Sequence, residues 1–236
     1  MVADARTVNA WRRWGYRALP GDLFSYVLHM RPAEWPIMAA HSGLGYVLAV
    51  GLGGVARGTA LPQALWAILI WVVFLNGGTL AINSVFDRDE GDIGYLVAPP
   101  PVPRHLLGFS VALLAGGQAL AFALPPAFRI DYAACFALSL LYSVPPFRFK
   151  AVAGVDWVIN MWGFGTLTPL ATWVATGRPL DWGHALVLPL AAWLGVLLPW
   201  RARPAVWSPA QHQRGMYRAL AAWAVTDLTV LAVFAR

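Results

Sequence analysis

Long apolar stretches separated by short polar segments dominate the chain and predict membrane-spanning helices. An α-helix needs about 20 mostly apolar residues to cross a bilayer, and seven stretches approach or reach that length. They are residues 34–54, 62–83, 105–124, 131–145, 155–176, 183–200 and 217–235. The fourth stretch is short and ends at Pro145-Pro146. Residues 1–31 are polar and amphipathic, with tryptophans set among arginines, which predicts a segment lying in the membrane interface.

The composition supports an all-α membrane helix bundle. Of the 236 residues, 59% are hydrophobic and only 12% are charged, whereas a soluble domain carries about 25% charged residues. Most of the surface must therefore meet lipid, which excludes a disordered chain and a cytosolic nucleotide-binding enzyme. The single cysteine, Cys135, excludes an internal disulfide and a thiolate zinc site. We expect one integral membrane domain over 1–236, with the interfacial segment 1–31 leading into a transmembrane bundle over 34–235.

The basic residues indicate how the chain is oriented. The net charge is +6, but the arginines are scattered and form no basic run, so they give no sign of nucleic-acid binding. When alternate loops are assigned to opposite sides, 13 of the 17 basic residues share the side of the N-terminus. The positive-inside rule then places the N-terminus in the cytosol and the C-terminus outside. The expected location is a prokaryotic-type inner (plasma) membrane.

Acidic residues cluster at the predicted cytosolic end of the second span. Four of the eleven lie in the string NSVFDRDEGD (83–92), at Asp87, Asp89, Glu90 and Asp92. Asn83, Asp87 and Glu90 are spaced by four and three residues, so they share one helical face. Asp92 joins that face only if the helix unwinds near Gly91. Such carboxylates are tolerated when they are solvated or when a hard cation such as Mg²⁺ neutralises them, and the spacing leaves both interpretations open.

A second polar motif, YSVPPFRFK (142–150), follows the short fourth span. Arg148 and Lys150 lie two residues apart at the interface and could hold a phosphate group. Tyr142, one turn inside, could donate a hydrogen bond within an apolar cavity. The alternative is a positive-inside anchor with an interfacial tyrosine. Asp156, near the start of the fifth span, could assist a substrate, contact Arg148 or simply cap its helix.

The remaining polar residues fit packing better than chemistry. The five histidines show no metal-ligand spacing. We expect His41, inside the first span, to be packed and to make a local hydrogen bond. Neither a glycine-rich phosphate loop nor a Ser-His-Asp arrangement can be recognised, so the acidic and basic motifs carry the functional argument.

The acidic and the basic motif lie on the same side of the membrane by the charge argument. Acidic and basic groups beneath an apolar bundle suit a molecule with an anionic head and a hydrocarbon tail, and a prenyl diphosphate is such a molecule. Mg²⁺ bridged to carboxylates would hold the diphosphate and stabilise it as a leaving group. Aromatic side chains around the tail could stabilise an allylic cation.

These strings resemble motifs of the UbiA-type superfamily of intramembrane prenyltransferases. NSVFDRDEGD is similar to its first aspartate-rich motif, YSVPPFRFK to the loop after its fourth helix, and LHMRPAEWPIMAAH (28–41) to the start of its first helix. The resemblance covers roughly residues 28–176. It implies an all-helical fold with a cytosol-facing cavity. It also implies Mg²⁺-dependent transfer of a prenyl group from an isoprenoid diphosphate to a hydrophobic or aromatic acceptor.

The motifs and the resemblance together define a set of candidate site residues. The candidates for metal binding are Asn83, Asp87, Glu90 and Asp92. The candidates for catalysis are Asp87, Tyr142 and Asp156, and those for diphosphate binding are Arg148, Lys150 and Arg214.

The sequence departs from the family pattern in ways that leave other functions open. Gly91 stands where the later aspartate of the first motif is expected. The loop 199–220 contains no Asp or Glu, so the second aspartate-rich motif is missing, and Arg214 and neighbouring arginines would have to replace the second metal. Seven spans are predicted instead of the usual nine. One alternative is a non-catalytic UbiA-like subunit of a membrane complex, with a structural role or a role in binding lipid or pigment. The others are a prenyl-diphosphate cyclase of the superfamily and a transporter.

Overall fold

The computed structural model describes residues 9–87, 92–94, 96–152, 154–180 and 209–234. Within these ranges the chain is helical, and its β structure is limited to one isolated bridge between Ile93 and Leu96. Two short helices come first, α1 (Ala10–Ala18) and α2 (Leu23–His29). The longer helices are α3 (Trp35–Ala56), α4 (Leu61–Asp87), α5 (Leu106–Leu120), α6 (Pro126–Ser143), α7 (155–175) and α8 (Pro209–Phe234).

Within the described residues, three helical segments are long and apolar enough to cross a membrane. They are Pro32–Ala56, Leu61–Asp87 and Leu106–Ala123, and they match the first three predicted spans. Helices α6 and α7 match the fourth and fifth spans in position, and α8 begins earlier than predicted, at Pro209. The sixth predicted span, 183–200, lies outside the described residues. The all-α prediction is therefore confirmed, while the count of seven spans stays a prediction.

Two of the long helices change to π-helical hydrogen bonding part-way along. Helix α4 is π-helical over Ile70–Asn76 and α7 over Met161–Leu167. Trp71 Nε1 donates to Thr168 Oγ1 at 3.1 Å, and Thr168 Oγ1 donates to Gly163 O at 3.0 Å. The two π segments are thus joined by a chain of hydrogen bonds. Segments of this kind are frequent at functional sites because they displace side chains from the regular helical face.

Helices α3 and α7 approach each other closely at Gly45. A Cβ atom at this position would lie 1.7 Å from the carbonyl O of Pro169, so only glycine fits. The Ser42 and Thr172 hydroxyls form a hydrogen bond of 2.5 Å across the same contact. Small residues with hydroxyl pairs are typical of close helix packing in membranes, and this contact fixes α3 against α7.

The N-terminal helices pack on the loop that follows α4. Arg12 is buried and donates from Nη1 to Ala98 O at 2.9 Å and from Nη2 to Val97 O at 2.5 Å. Apolar residues of α2 and the loop form a small core, made by Phe24, Leu28, Ile93 and Leu96. Trp14 on α1 is 65% exposed. The placement of this segment in the membrane interface stays a prediction.

Candidate functional site

Asp87, the last residue of α4, meets the loop that follows α6. Lys150 Nζ lies 2.5 Å from Asp87 Oδ1, and Arg148 Nη2 lies 3.7 Å from the same oxygen. Arg148 Nη2 also donates to the carbonyl O of Phe86 at 3.2 Å. The structure therefore brings the acidic and the basic motif together as one cluster, which consists of Asp87, Arg148 and Lys150.

The sequence after α6 turns both cations toward α4. Helix α6 ends at Ser143, and the following Pro145-Pro146 cannot continue it because proline lacks the backbone N–H. Arg148 adopts the left-handed conformation, with φ 38° and ψ 55°, and a short 3₁₀ turn over Phe149–Ala151 follows. A non-glycine residue in this region is strained, and such strain persists where the surroundings hold it and often marks a functional site.

The two cations of this cluster differ in exposure. The Lys150 side chain is 11% exposed, while the Arg148 side chain is 43% exposed. Burial strengthens the interaction between Lys150 and Asp87, because charges attract more strongly in a medium of low dielectric constant. Two cations and one carboxylate leave the cluster with a net charge of +1, and the accessible Arg148 makes it a suitable binding point for an anion.

A cavity of about 190 Å³ lies between α3, α4, α6 and α7. Asn83 lines it, one helical turn before Asp87, and so links the cavity to the cluster. Its apolar wall includes Met38, Trp71, Leu75, Leu138 and Phe164. Its polar groups include Glu34, Asn76, Thr79, Asn83, Ser139, Tyr142 and Asn160. The cavity therefore combines an apolar wall with a set of polar side chains, as expected for a site that binds an amphipathic molecule.

Hydrogen bonds fix the polar side chains between the cavity and the cluster. Ser143 Oγ donates to Asn83 Oδ1, which ties α6 to α4. Asn160 Nδ2 donates to the hydroxyl of Tyr142 at 2.9 Å. Because that bond uses the Tyr142 oxygen as an acceptor, the phenolic proton remains for a second partner.

The other candidate residues lie in different surroundings. Asp156 lies in the first turn of α7, where a carboxylate interacts favourably with the helix dipole. Asp92 lies in the loop after α4, and its Oδ1 accepts from the Ala98 N–H at 2.7 Å. Arg214 lies on α8 with an exposed side chain. Glu90 is outside the described residues, and the predicted roles of all four stay predictions.

Asp87 and Asn83 are the oxygen donors at the site that best fit a metal ion. Among the described residues, no group of three or more His, Cys, Asp or Glu side chains could hold a metal. Mg²⁺ usually binds one or two protein carboxylates and takes its other ligands from phosphates and water. Asp87 could therefore offer its carboxylate to Mg²⁺, and Asn83 could add its amide oxygen, which accepts from Ser143 Oγ in this structure.

Sequence reasoning missed the partners of several polar residues. The prediction of a local hydrogen bond for His41 was wrong. Its Nδ1 lies 2.8 Å from Asp227 Oδ2 on α8, and its Nε2 lies 2.9 Å from the carbonyl O of Phe164 on α7. Glu34 was not recognised as part of the cavity wall. A polar residue inside an apolar span was the available signal, but it does not say which helix supplies the partner.

Three solved structures of a UbiA homolog from Archaeoglobus fulgidus resemble this fold. The structure bound to DMAPP and Mg²⁺ is 17% identical, with a TM-score of 0.58, covering 88% of this chain and 73% of that chain. The structure bound to Cd²⁺ is 18% identical, with a TM-score of 0.60 and coverages of 89% and 82%. A third is 19% identical, with a TM-score of 0.60 and coverages of 89% and 81%. No family model matches the sequence, and no curated protein matches it.

Proposed function

This chain has the all-helical UbiA fold, and we propose that it transfers a prenyl group from an isoprenoid diphosphate to an acceptor within the membrane, with Mg²⁺. The observation that carries the proposal is the contact of Asp87 with Lys150 and Arg148, one helical turn from a cavity lined by Asn83. Each element has a task in this chemistry. The charged cluster receives the diphosphate, and the cavity receives the hydrocarbon tail.

Arg148 and Lys150 bind the diphosphate in this proposal. A guanidinium group can form two parallel hydrogen bonds to phosphate oxygens, and an ammonium group acts as a compact point charge. The exposed Arg148 makes first contact with the anion. Lys150 then turns from Asp87 toward the diphosphate, which leaves the Asp87 carboxylate able to bind another cation. Arg214 is a further diphosphate ligand in the proposal.

Asn83 and Asp87 would hold Mg²⁺, with Glu90 and Asp92 as further carboxylates. When bound, the ion supplies positive charge that stabilises the diphosphate as a leaving group. Asp92 bonds within its own loop, to the Ala98 N–H, whereas Asp87 contacts Arg148 and Lys150, the proposed diphosphate ligands. We therefore rank Asp87 as the more important carboxylate of the two.

The cavity wall orients the tail and the acceptor. In the transfer, the bond between the allylic carbon and the diphosphate oxygen breaks, a bond from that carbon to the acceptor forms, and the acceptor loses a proton. Aromatic faces such as Trp71 and Phe164 favour the positive charge that develops on the allylic carbon. Tyr142, held by Asn160, offers its phenolic proton to a polar group of the acceptor or of the diphosphate.

The test is pyrophosphate release from isoprenoid diphosphates by the protein in liposomes with Mg²⁺. We expect Asp87→Asn to lower the rate about a hundredfold or more, as the loss of one strong electrostatic contact to a transition state does. The matched control is Asp22→Asn, the same substitution at an exposed carboxylate before α2 that has no role in the proposed site, and it should retain the rate. Equal rates for Asp87→Asn and the parent protein would contradict the proposal.

A non-catalytic subunit of a membrane complex is the second candidate. The observation that favours it is the 2.5 Å contact between Lys150 Nζ and Asp87 Oδ1, through which Lys150 can neutralise that carboxylate. In that case the cluster would only hold α4 to the loop after α6. Stoichiometric purification with other subunits, together with the same melting temperature with and without Mg²⁺ and a diphosphate analogue, would favour this function over prenyl transfer.

A further inference from the structure

A second polar cluster contacts the cavity wall through Phe164. His41 on α3 places its two ring nitrogens 2.8 Å from Asp227 Oδ2 and 2.9 Å from the carbonyl O of Phe164. His41 is buried, with 3% of its surface exposed. Since both ring nitrogens face oxygen acceptors, the His41–Asp227 pair must hold two protons between them. The pair is then neutral overall, which suits its position inside an apolar bundle.

Aromatic contacts hold the side chain of Phe164 at the same point. Its ring stacks on the His41 ring, with centroids 4.8 Å apart and planes 16° apart. Trp223 of α8 meets both rings edge-on, at centroid distances of 5.0 Å from His41 and 5.4 Å from Phe164. Phe164 is thus held through its carbonyl oxygen and through its ring, and it lines the cavity.

The π-helical geometry of α7 explains why Phe164 needs outside support. It lies in the segment Met161–Leu167, where regular helical hydrogen bonding is interrupted. Two successive carbonyls of this segment accept hydrogen bonds from side chains, one on α7 itself and one on α3. Thr168 Oγ1 donates to Gly163 O and His41 Nε2 to Phe164 O. The shape of this wall therefore depends on His41, and through His41 on Asp227 of α8.

We propose that His41 and Asp227 are positioning residues that fix Phe164 at the cavity wall and thereby determine which isoprenoid tails fit. Neither residue needs to touch the substrate. The tail preference rests on the proposed function, whereas the positioning of Phe164 does not. A readout that is independent of activity can therefore separate the two claims.

Substitutions at Asp227 separate hydrogen bonding from charge. In Asp227→Asn, the amide group can donate to Nδ1 of a neutral His41, whose Nε2–H still donates to Phe164 O. This variant should keep the wall in place. Asp227→Leu has the same number of side-chain heavy atoms but offers His41 no hydrogen-bond partner. This variant should release the cavity wall at Phe164. The matched control is Thr229→Val, since Thr229 is exposed on the same helix and donates to the backbone of that helix, at Val225 O.

The native cysteine provides the readout that does not need activity. Cys135 is the single cysteine of the chain, is buried and lines the same cavity. Its rate of reaction with a small uncharged thiol reagent therefore reports on the access and shape of the cavity. We expect Asp227→Leu to raise this rate about tenfold or more, as local opening of a packed wall does. Asp227→Asn and Thr229→Val should react at the rate of the parent protein.

The second readout is the ratio of kcat/KM for geranylgeranyl and dimethylallyl diphosphate. Small displacements of groups that orient a substrate change rates by up to about a hundredfold, and we expect Asp227→Leu to change the ratio at least tenfold. Phe164→Leu keeps the hydrogen bond from His41 to the backbone carbonyl at position 164 and should change the ratio as well. It replaces Asp227→Leu in this experiment if Asp227→Leu does not fold.

Each outcome decides the inference. It is overturned if Asp227→Leu, or Phe164→Leu in its place, keeps both the Cys135 rate and the substrate ratio of the parent protein. It is also overturned if Asp227→Asn behaves like Asp227→Leu. The hydrogen bonds of His41, which Asp227→Asn retains, would then have no effect on the cavity wall. If no variant, including the parent protein, releases pyrophosphate, the proposed function fails, while the Cys135 rates still decide whether His41 and Asp227 position the wall.

Discussion

Replacement of Gly45 by alanine tests the close contact between α3 and α7. The added Cβ would lie 1.7 Å from the carbonyl O of Pro169, 2.6 Å from its carbonyl carbon and 3.1 Å from the Trp173 nitrogen. These are backbone atoms, so no side-chain rotation can relieve the clash. Helices α3 and α7 would have to separate, and the Ser42–Thr172 hydrogen bond of 2.5 Å would be lost with the contact.

The expected loss of stability follows from three terms, two that destabilise the fold and one that stabilises it. Overpacking a well-packed core costs about 1–3 kcal/mol, and a contact with rigid backbone lies at the upper end of that range. Loss of the Ser42–Thr172 hydrogen bond adds about 1 kcal/mol. The better helix propensity of alanine returns at most about 1 kcal/mol. We therefore expect Gly45→Ala to lower the free energy of unfolding by about 3 kcal/mol.

The assay is unfolding in detergent micelles by increasing amounts of a denaturing detergent, followed by circular dichroism. The matched control is Gly43→Ala on the same helix, where the nearest atom to the new Cβ is Ile68 Cδ1 at 4.0 Å. The control should be as stable as the parent protein or slightly more so. If the free energies of unfolding of the two variants differ by less than about 1 kcal/mol, α3 and α7 do not approach each other closely at Gly45.

Two further predictions concern the charged contacts. A double-mutant cycle of Lys150→Met and Asp87→Asn should give a coupling energy of about 1–3 kcal/mol, between the values of exposed and buried ion pairs. Unfolding in micelles at two salt concentrations measures this coupling energy. A coupling energy of zero would contradict the 2.5 Å contact between Lys150 and Asp87. Arg12→Met should free the loop after α4, because Arg12 donates to the carbonyls of Val97 and Ala98. Amide hydrogen exchange at Ile93 and Ala98 should accelerate while exchange within α6 stays unchanged, and unchanged exchange at both amides would show that Arg12 does not hold the loop.

The meeting of the acidic and the basic motif could be predicted from the sequence because local rules and membrane topology were sufficient. The spacing of Asn83 and Asp87 fixes their common helical face in any regular helix. The charge distribution then places that face and the loop with Arg148 and Lys150 on one side of the membrane. In a small bundle, two motifs on the same side have few places to lie, and the structure indeed joins Asp87 to Lys150.

The His41–Asp227 pair could not be predicted, because it depends on how distant helices pack. The two residues are 186 positions apart, and neither belongs to a local pattern. Each is the only His, Asp, Glu, Lys or Arg within several residues of an apolar span, which is compatible with packing as well as with function. The sequence does not predict the π segments either, since their apolar residues are equally compatible with an α-helix. Such features arise from contacts between helices, and those contacts carry no signature in residue spacing.

The ion pair at Asp87 has a consequence for the order of events at the proposed site. The Asp87 side chain is only 25% exposed, so its carboxylate is stabilised by the Lys150 ammonium beside it. A diphosphate that draws Lys150 toward itself leaves Asp87 in need of another cation, which is the role proposed for Mg²⁺. Anion binding and metal binding should therefore favour each other. If the affinity for a diphosphate analogue were the same with and without Mg²⁺, Lys150 would have to serve only as a structural partner of Asp87.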